Sequence, residues 1–229
     1  MDMIADKLAQ VRARIAAACA DAKRDVRSIT LLAVGKTQPA DALRTACAAG
    51  ARCFGENYVQ EGLAKIAALA DLRGAIEWHL IGPLQANKTR SVAEQFDWVH
   101  SIDRLRIAQR LSEQRPAQLA PLQVCLQVNI DAQTSKSGVD PAALPDLAHA
   151  VAALPRLRLR GLMAIPAPAP DIALQRAPHR ALRELFERLR ADGLELDTLS
   201  MGMSDDLEAA IAEGATLVRV GSAIFGARG

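Results

Sequence analysis

The feature that most constrains this fold is the spacing of short aliphatic runs rich in β-branched residues. They lie at residues 29–34, 51–54, 76–81, 98–102, 122–130, 157–165, 196–201 and 217–220. Between them, residues 40–49, 59–69, 103–114, 141–154, 174–192 and 205–213 place apolar side chains at helical spacing. A strand followed by a helix returns the chain to the same end of the sheet, so the strands are expected to run parallel. Eight such strands in 229 residues fit a closed (β/α)₈ TIM barrel. An open doubly wound sheet is the alternative. The turn after the first strand, however, is Gly35-Lys36-Thr37-Gln38-Pro39, which lacks the glycine-rich dinucleotide fingerprint. The amphipathic segment ahead of the first strand predicts an extra N-terminal helix packed on the bottom or flank of the barrel. Proline-rich residues 166–170 read as a stiff loop, because strand and helix alternation resumes beyond them. Residues 1–229 are therefore expected to form a single domain.

Composition narrows the partners. The net charge is +2 with both signs interleaved, and aromatics make up 3%, so neither a nucleic-acid tract nor a stacking platform is expected. The N-terminal segment lacks the continuous apolar core of a signal peptide, and no apolar run is long enough for a bilayer. A soluble cytoplasmic protein is expected, with no membrane or nucleic-acid partner, and a monomer. Cys19, Cys47, Cys53 and Cys125 show no CxxC spacing and no histidine at finger distance. They read as reduced thiols, and no metal ligands are assigned.

Barrel chemistry sits where strands end and loops begin. Lys36 directly follows the first strand, behind Gly35. A lysine there can lose its proton through desolvation or nearby positive charge and attack an aldehyde, although position alone also allows a solvated loop lysine. After the seventh strand comes Ser200-Met201-Gly202-Met203-Ser204, with Ser204 as a possible N-cap for a helix opening at Asp205. Arg219-Val220-Gly221-Ser222 ends the eighth. Phosphate sites of barrels are commonly built from these two loops and a helix N-terminus. A lysine facing a phosphate pocket suggests a phosphorylated aldehyde, of which pyridoxal 5′-phosphate (PLP) is the common one. Arg219 is then the candidate partner of the pyridine nitrogen. A permanently charged guanidinium cannot accept that nitrogen's proton, so the ring would be a weak electron sink. Asn57, His79 and Met163 lie at or near the same mouth, although mid-strand His79 also suits a satisfied interior histidine. Residues 85–88 could bind a ligand or cap the next helix, and Thr134-Ser135-Lys136-Ser137-Gly138 reads as a flap or surface turn.

These segments resemble a known family, the pyridoxal phosphate homeostasis proteins. The resemblance runs end to end, through Ala33-Val34-Gly35-Lys36, Phe54-Gly55-Glu56-Asn57-Tyr58-Val59-Gln60-Glu61 and Trp78-His79-Leu80-Ile81-Gly82-Pro83-Leu84-Gln85-Ala86-Asn87-Lys88. It continues in Gly161-Leu162-Met163-Ala164-Ile165-Pro166, Leu199-Ser200-Met201-Gly202-Met203-Ser204-Asp205-Asp206 and Val218-Arg219-Val220-Gly221-Ser222-Ala223-Ile224-Phe225-Gly226. The resemblance implies a barrel like the N-terminal domain of alanine racemases, with PLP held as a Schiff base on Lys36. It also implies phosphate contacts at Ser200, Ser204, Gly221 and Ser222, and a pyridine contact at Arg219. The candidate cofactor-binding set is Lys36, Asn57, His79, Met163, Ser200, Gly202, Met203, Ser204, Arg219, Gly221 and Ser222, with no residue assigned a catalytic role. The implied function is intracellular vitamin B6 homeostasis without robust turnover, with other B6 vitamers and PLP-dependent apo-enzymes as possible partners. An amino-acid racemase is the enzymatic alternative. It needs an acid/base on each face of the cofactor, and the only tyrosine is Tyr58, in a βα loop, with no second domain expected before Gly229. A PLP-free barrel aldolase would leave Arg219 without a role.

Overall fold

The structure is a computed structural model describing residues 3–131 and 137–226. Eight parallel strands close into a barrel in sequence order: β1 (Thr30–Val34), β2 (Cys53–Glu56), β3 (Glu77–Leu80), β4 (Trp98–Ile102), β5 (Leu122–Gln127), β6 (Leu157–Met163), β7 (Thr198–Ser200) and β8 (Leu217–Val220). β8 pairs with β1 through Leu32↔Arg219 and its neighbours, which closes the ring. Parallel strands flanked by helices are buried on both faces, which is why they read as near-continuous apolar runs. β4 and β8 are buried at every position.

The crossovers are α2 (Ala40–Ala48), α3 (Val59–Ala68), α4 (Thr89–Gln95), α5 (Leu105–Gln114), α6 (Leu144–Ala152), α7 (Ile172–Ala191) and α8 (Leu207–Ala212), with a terminal turn α9 (Ser222–Phe225). The additional N-terminal helix α1 (Met3–Asp21) turns Leu8, Val11, Ile15, Ala18 and Cys19 inward, a helical stripe, and packs on α2, α8 and α9. It therefore covers the flank where the barrel closes rather than its bottom. Arg14 fastens it there, bonding Glu208 on α8 and the Ser204 carbonyl at 3.0 Å.

One helix takes bounds that the sequence left open, and another differs from the sequence expectation. α4 is a short helix of mixed polarity, outside the apolar pattern that marked the others; residues 86–88 lead into it as a 3₁₀ turn in which Thr89 caps back onto the Ala86 carbonyl. α8 begins at Leu207 rather than Asp205, because the Asp206 carboxylate is held by His179 Nε2 at 2.9 Å and by the Met203 amide at 2.6 Å. Those two bonds keep Met203, Ser204 and Asp205 as a turn over the barrel mouth. Among the described residues, no helix is long and apolar enough to cross a membrane.

Candidate functional site

Lys36 stands two residues beyond the end of β1, and its loop is held on both sides. Lys65 projects inward from α3, where Val59, Gly62, Lys65 and Ile66 form the buried stripe. Its Nζ donates to the Gly35 carbonyl at 2.5 Å, to both oxygens of Glu56 at 2.9 and 3.0 Å, and to Glu61 Oε1 at 2.6 Å. The same Glu61 oxygen accepts the Thr37 amide at 2.5 Å. The peptide groups before and after Lys36 are thus tied to one buried ion cluster. Thr37 sits at φ +65°, a left-handed conformation that a β-branched residue adopts only when its surroundings impose it. At Gly35 a Cβ would lie 2.8 Å from Glu56 Oε1, so the buried carboxylate would have to shift to admit one. Glu56 is fully buried, and burial pushes its carboxyl up to about 7 against the pull of Lys65.

Lys36 faces a cavity of about 400 Å³, lined also by Asn57, Ile81, Ile165, Met203, Ser204, Arg219, Gly221 and Ser222. Asn57 Oδ1 is buried there without a partner. Arg219 is almost fully buried. Its Nη1 donates to the Ser200 carbonyl and hydroxyl at 2.5 and 2.9 Å, and its Nη2 to the Ala164 carbonyl at 2.8 Å. Burial lowers its guanidinium to about 10, so it stays charged at neutral pH. The Ser222 and Ser204 hydroxyls lie 3.4 Å apart across the rim. Gly202 lets the loop between them pass close to α8: at φ +90°, a Cβ would meet that of Ala210 at 2.5 Å.

The remaining expected residues lie below this cavity. Ser200 is fully buried, with its hydroxyl engaged by Arg219 and by His100 Nδ1 at 2.8 Å. Of the four residues expected around a phosphate, Ser204, Gly221 and Ser222 therefore line the cavity, while Ser200 supports Arg219 from beneath. His79 is also fully buried, bonded through Nδ1 to His100 Nε2 and through Nε2 to Glu77 Oε1, both at 2.9 Å. Met163 packs beside Trp98 and Cys125 in the interior. Gln85, Asn87 and Lys88 do not line the cavity. Of the expected flap, residues 134–136 lie outside the described residues, while Ser137 accepts Gln127 Nε2 at 3.2 Å.

Sequence reasoning missed His100, Glu56, Glu61 and Lys65. His100 completes a polar column, Glu77–His79–His100–Ser200–Arg219, through the barrel centre. Burial and the neighbouring His79 and Arg219 drive its pKa well below the usual histidine range, so the ring is neutral. Two signals in the sequence point to these residues. His100 shares the inward parity of Trp98 and Ile102 on its strand, and Lys65 occupies an apolar-stripe position on its helix.

The alanine racemase N-terminal domain family matches residues 7–229. A pyridoxal phosphate homeostasis protein of Pseudomonas aeruginosa is 62% identical, covering 100% of this chain and 97% of that protein. One from Escherichia coli K12 is 58% identical, covering 100% and 98%. The solved structure of PipY from Synechococcus elongatus with PLP bound superposes with TM-score 0.85 at 40% identity, covering 97% of this chain and 100% of that one. Identity of this order along the whole chain, on the barrel and mouth just described, shows that the chain belongs to the pyridoxal phosphate homeostasis proteins of the alanine racemase N-terminal domain family.

Proposed function

We propose that this chain is a single PLP-holding barrel that serves PLP homeostasis and does not turn over amino acids. The observation that carries the reading is one cavity containing Lys36, the buried cation Arg219, and the Ser204–Gly221–Ser222 rim. Its volume of about 400 Å³ lies within the range of small-molecule sites. The orphaned Asn57 Oδ1 fits a site that awaits a polar ligand. The relatives named for PLP homeostasis, and the PLP-bound PipY, point to the same ligand.

In this reading Lys36 supplies the amine for the PLP aldehyde. Ser204, Ser222 and the Gly221 backbone face the phosphate, and Arg219 faces the pyridine nitrogen. Bound PLP supplies an electrophilic carbonyl carbon conjugated to its ring. The chain's own residues determine how far that chemistry goes. Arg219 is charged and only donates, so the ring nitrogen remains unprotonated and accepts electrons weakly. Its fork is fixed by the Ser200 and Ala164 carbonyls. Tyr58, the only tyrosine in the sequence, is 61% exposed and does not line the cavity. The second acid/base that racemisation requires is therefore not supplied by it, a loss worth about 10²–10⁴ in rate. Held on a preorganised lysine in an accessible mouth, PLP could pass to apo-enzymes, and the site would accept related B6 vitamers that keep the phosphate.

The test is to incubate PLP-loaded protein with an amino-acid panel in deuterated water. Exchange at Cα no faster than with free PLP supports the carrier reading; stereospecific exchange at about 1–10³ s⁻¹, the ordinary enzyme range, overturns it.

A further inference from the structure

The barrel floor, at the opposite end from Lys36, brings together three side chains of different donor type. Cys53 opens β2 and Glu77 opens β3, and the two are direct register partners. His79 lies two residues beyond Glu77 and so points to the same inner face. Cys53 Sγ is 3.7 Å from Glu77 Oε1, which is 2.9 Å from His79 Nε2. The three donor atoms all fall within 4.8 Å of one another.

We propose that Cys53, Glu77 and His79 form a binding site for a thiophilic divalent cation of the zinc class, with a fourth position open to water. A thiolate, an imidazole and a carboxylate are the donors such an ion takes, at about 2.0–2.3 Å from the metal. Donors this close need only small side-chain rotations to surround one ion. Among the described residues no lysine or arginine pairs with Glu77, whereas the nearby Asp97 and Asp197 are already engaged by Arg73 and Arg160. The cluster thus offers a carboxylate whose close partner is His79 itself, beside a half-buried thiol. A dication at the cluster would stabilise the thiolate form of the half-buried Cys53 by supplying positive charge beside it.

The outer partner of the histidine is also in place. A metal-bound imidazole normally donates its other N–H to a fixed acceptor, and His79 Nδ1 faces the neutral ring of His100 at 2.9 Å. With neutral rings and no metal, His79 carries its proton on Nε2 toward Glu77, and the column runs from Ser200 through His100 to His79. Metal on Nε2 reverses that order: His79 donates from Nδ1 to His100 Nε2, and His100 donates from Nδ1 to the Ser200 oxygen. Both rings stay neutral and Ser200 keeps its hydrogen. One proton leaves, from Cys53, as its sulfur binds the ion.

The probe is Co²⁺ added to chelator-treated protein, with and without PLP. We expect one ion per chain, with a thiolate-to-cobalt charge-transfer band in the near ultraviolet that is the same in both forms, and displacement by Zn²⁺. Cys53→Ser should abolish the band, and Glu77→Gln should weaken binding by at least about 10-fold, the lower end of what even an outer partner contributes to a metal site. Zn²⁺ should also slow alkylation of Cys53, the least buried of the four thiols, by at least about 10-fold at saturation. Co²⁺ bound without a thiolate band, binding well below one per chain, or a band that survives Cys53→Ser would overturn the proposal. A band that appears only in the PLP-loaded protein would make binding depend on the cofactor site and overturn it as well. Because the readout needs no PLP, failure here leaves the Lys36 assignment standing, and failure of that assignment leaves this site testable.

Discussion

Replacing Lys65 by methionine removes the cation that ties the Lys36 loop together while keeping most of the side chain's volume. The effect on stability should depend on pH in a way that burial alone would not produce. Glu56 is fully buried with a carboxyl at about 7, so the wild-type fold binds its proton below that value and releases it above. A carboxyl raised from its usual value contributes stability in the protonated form, and that contribution declines as pH rises through about 7. Without Lys65 nothing compensates the buried carboxylate, and its pKa moves higher still. The variant then goes on losing about 1.36 kcal/mol per pH unit above 7, where the wild type has already ionised. Between about pH 6 and about pH 8.5 the deficit relative to wild type should grow by about 2 kcal/mol, or about 4–8 °C in Tm for a chain of this size. At the lower pH the bonds from Nζ to the Gly35 carbonyl, to Glu61 and to the protonated Glu56 are lost, at about 1 kcal/mol each. The measurement is thermal unfolding of both proteins at the two pH values, with PLP affinity followed by absorbance. With Gly35 and Thr37 released, affinity should fall about 10-fold, corresponding to about 1.4 kcal/mol of lost positioning. Equal destabilisation at both pH values would refute the argument, because the Lys65–Glu56 charge would then play no part.

Glu61→Gln should lower PLP affinity while changing Tm by less than Lys65→Met does, since Glu61 is partly exposed and acts on Thr37; a larger loss of Tm than Lys65→Met causes would refute its role as a loop tie. Lys36→Ala should abolish borohydride-fixed pyridoxyl label with little change in Tm; label mapped to Lys88 in the wild type instead would contradict the assignment. Pyridoxal lacking the phosphate should bind at least about 10-fold more weakly than PLP, because hydrogen bonds to a charged group contribute about 1.5–3 kcal/mol each; equal affinities would remove the Ser204–Gly221–Ser222 cup. His100→Phe should cost about 1–3 kcal/mol, as Ser200 and His79 each lose a buried partner, and should shift the absorbance of bound PLP through Arg219. An unchanged spectrum would separate the column from the cofactor.

The sequence by itself determined the parts of this protein that depend on periodicity along the chain. The strands at Trp98–Ile102 and Leu217–Val220 were legible to the residue, because parallel strands buried on both faces leave an unbroken apolar run. α1 was legible as an apolar stripe, and Lys36, Arg219, Gly221 and Ser222 as residues at strand ends, where a barrel carries its chemistry. The bounds of α4 were not, since its short mixed segment has too little periodicity to mark where it begins and ends. Only the tertiary structure decided which buried polar groups meet. The closing strand brings Arg219 to Ser200, and β4 sets His100 between Ser200 and His79 although 100 positions separate it from Ser200. α3 folds Lys65 back beneath Gly35, and the β2–β3 register sets Cys53 against Glu77 at a spacing no finger motif would mark. The reason is physical: hydrophobic burial repeats with the local geometry of helix and strand and so leaves a trace in the sequence. A hydrogen-bond or ion-pair partner is chosen across the barrel by strand register and helix docking, which have no local period.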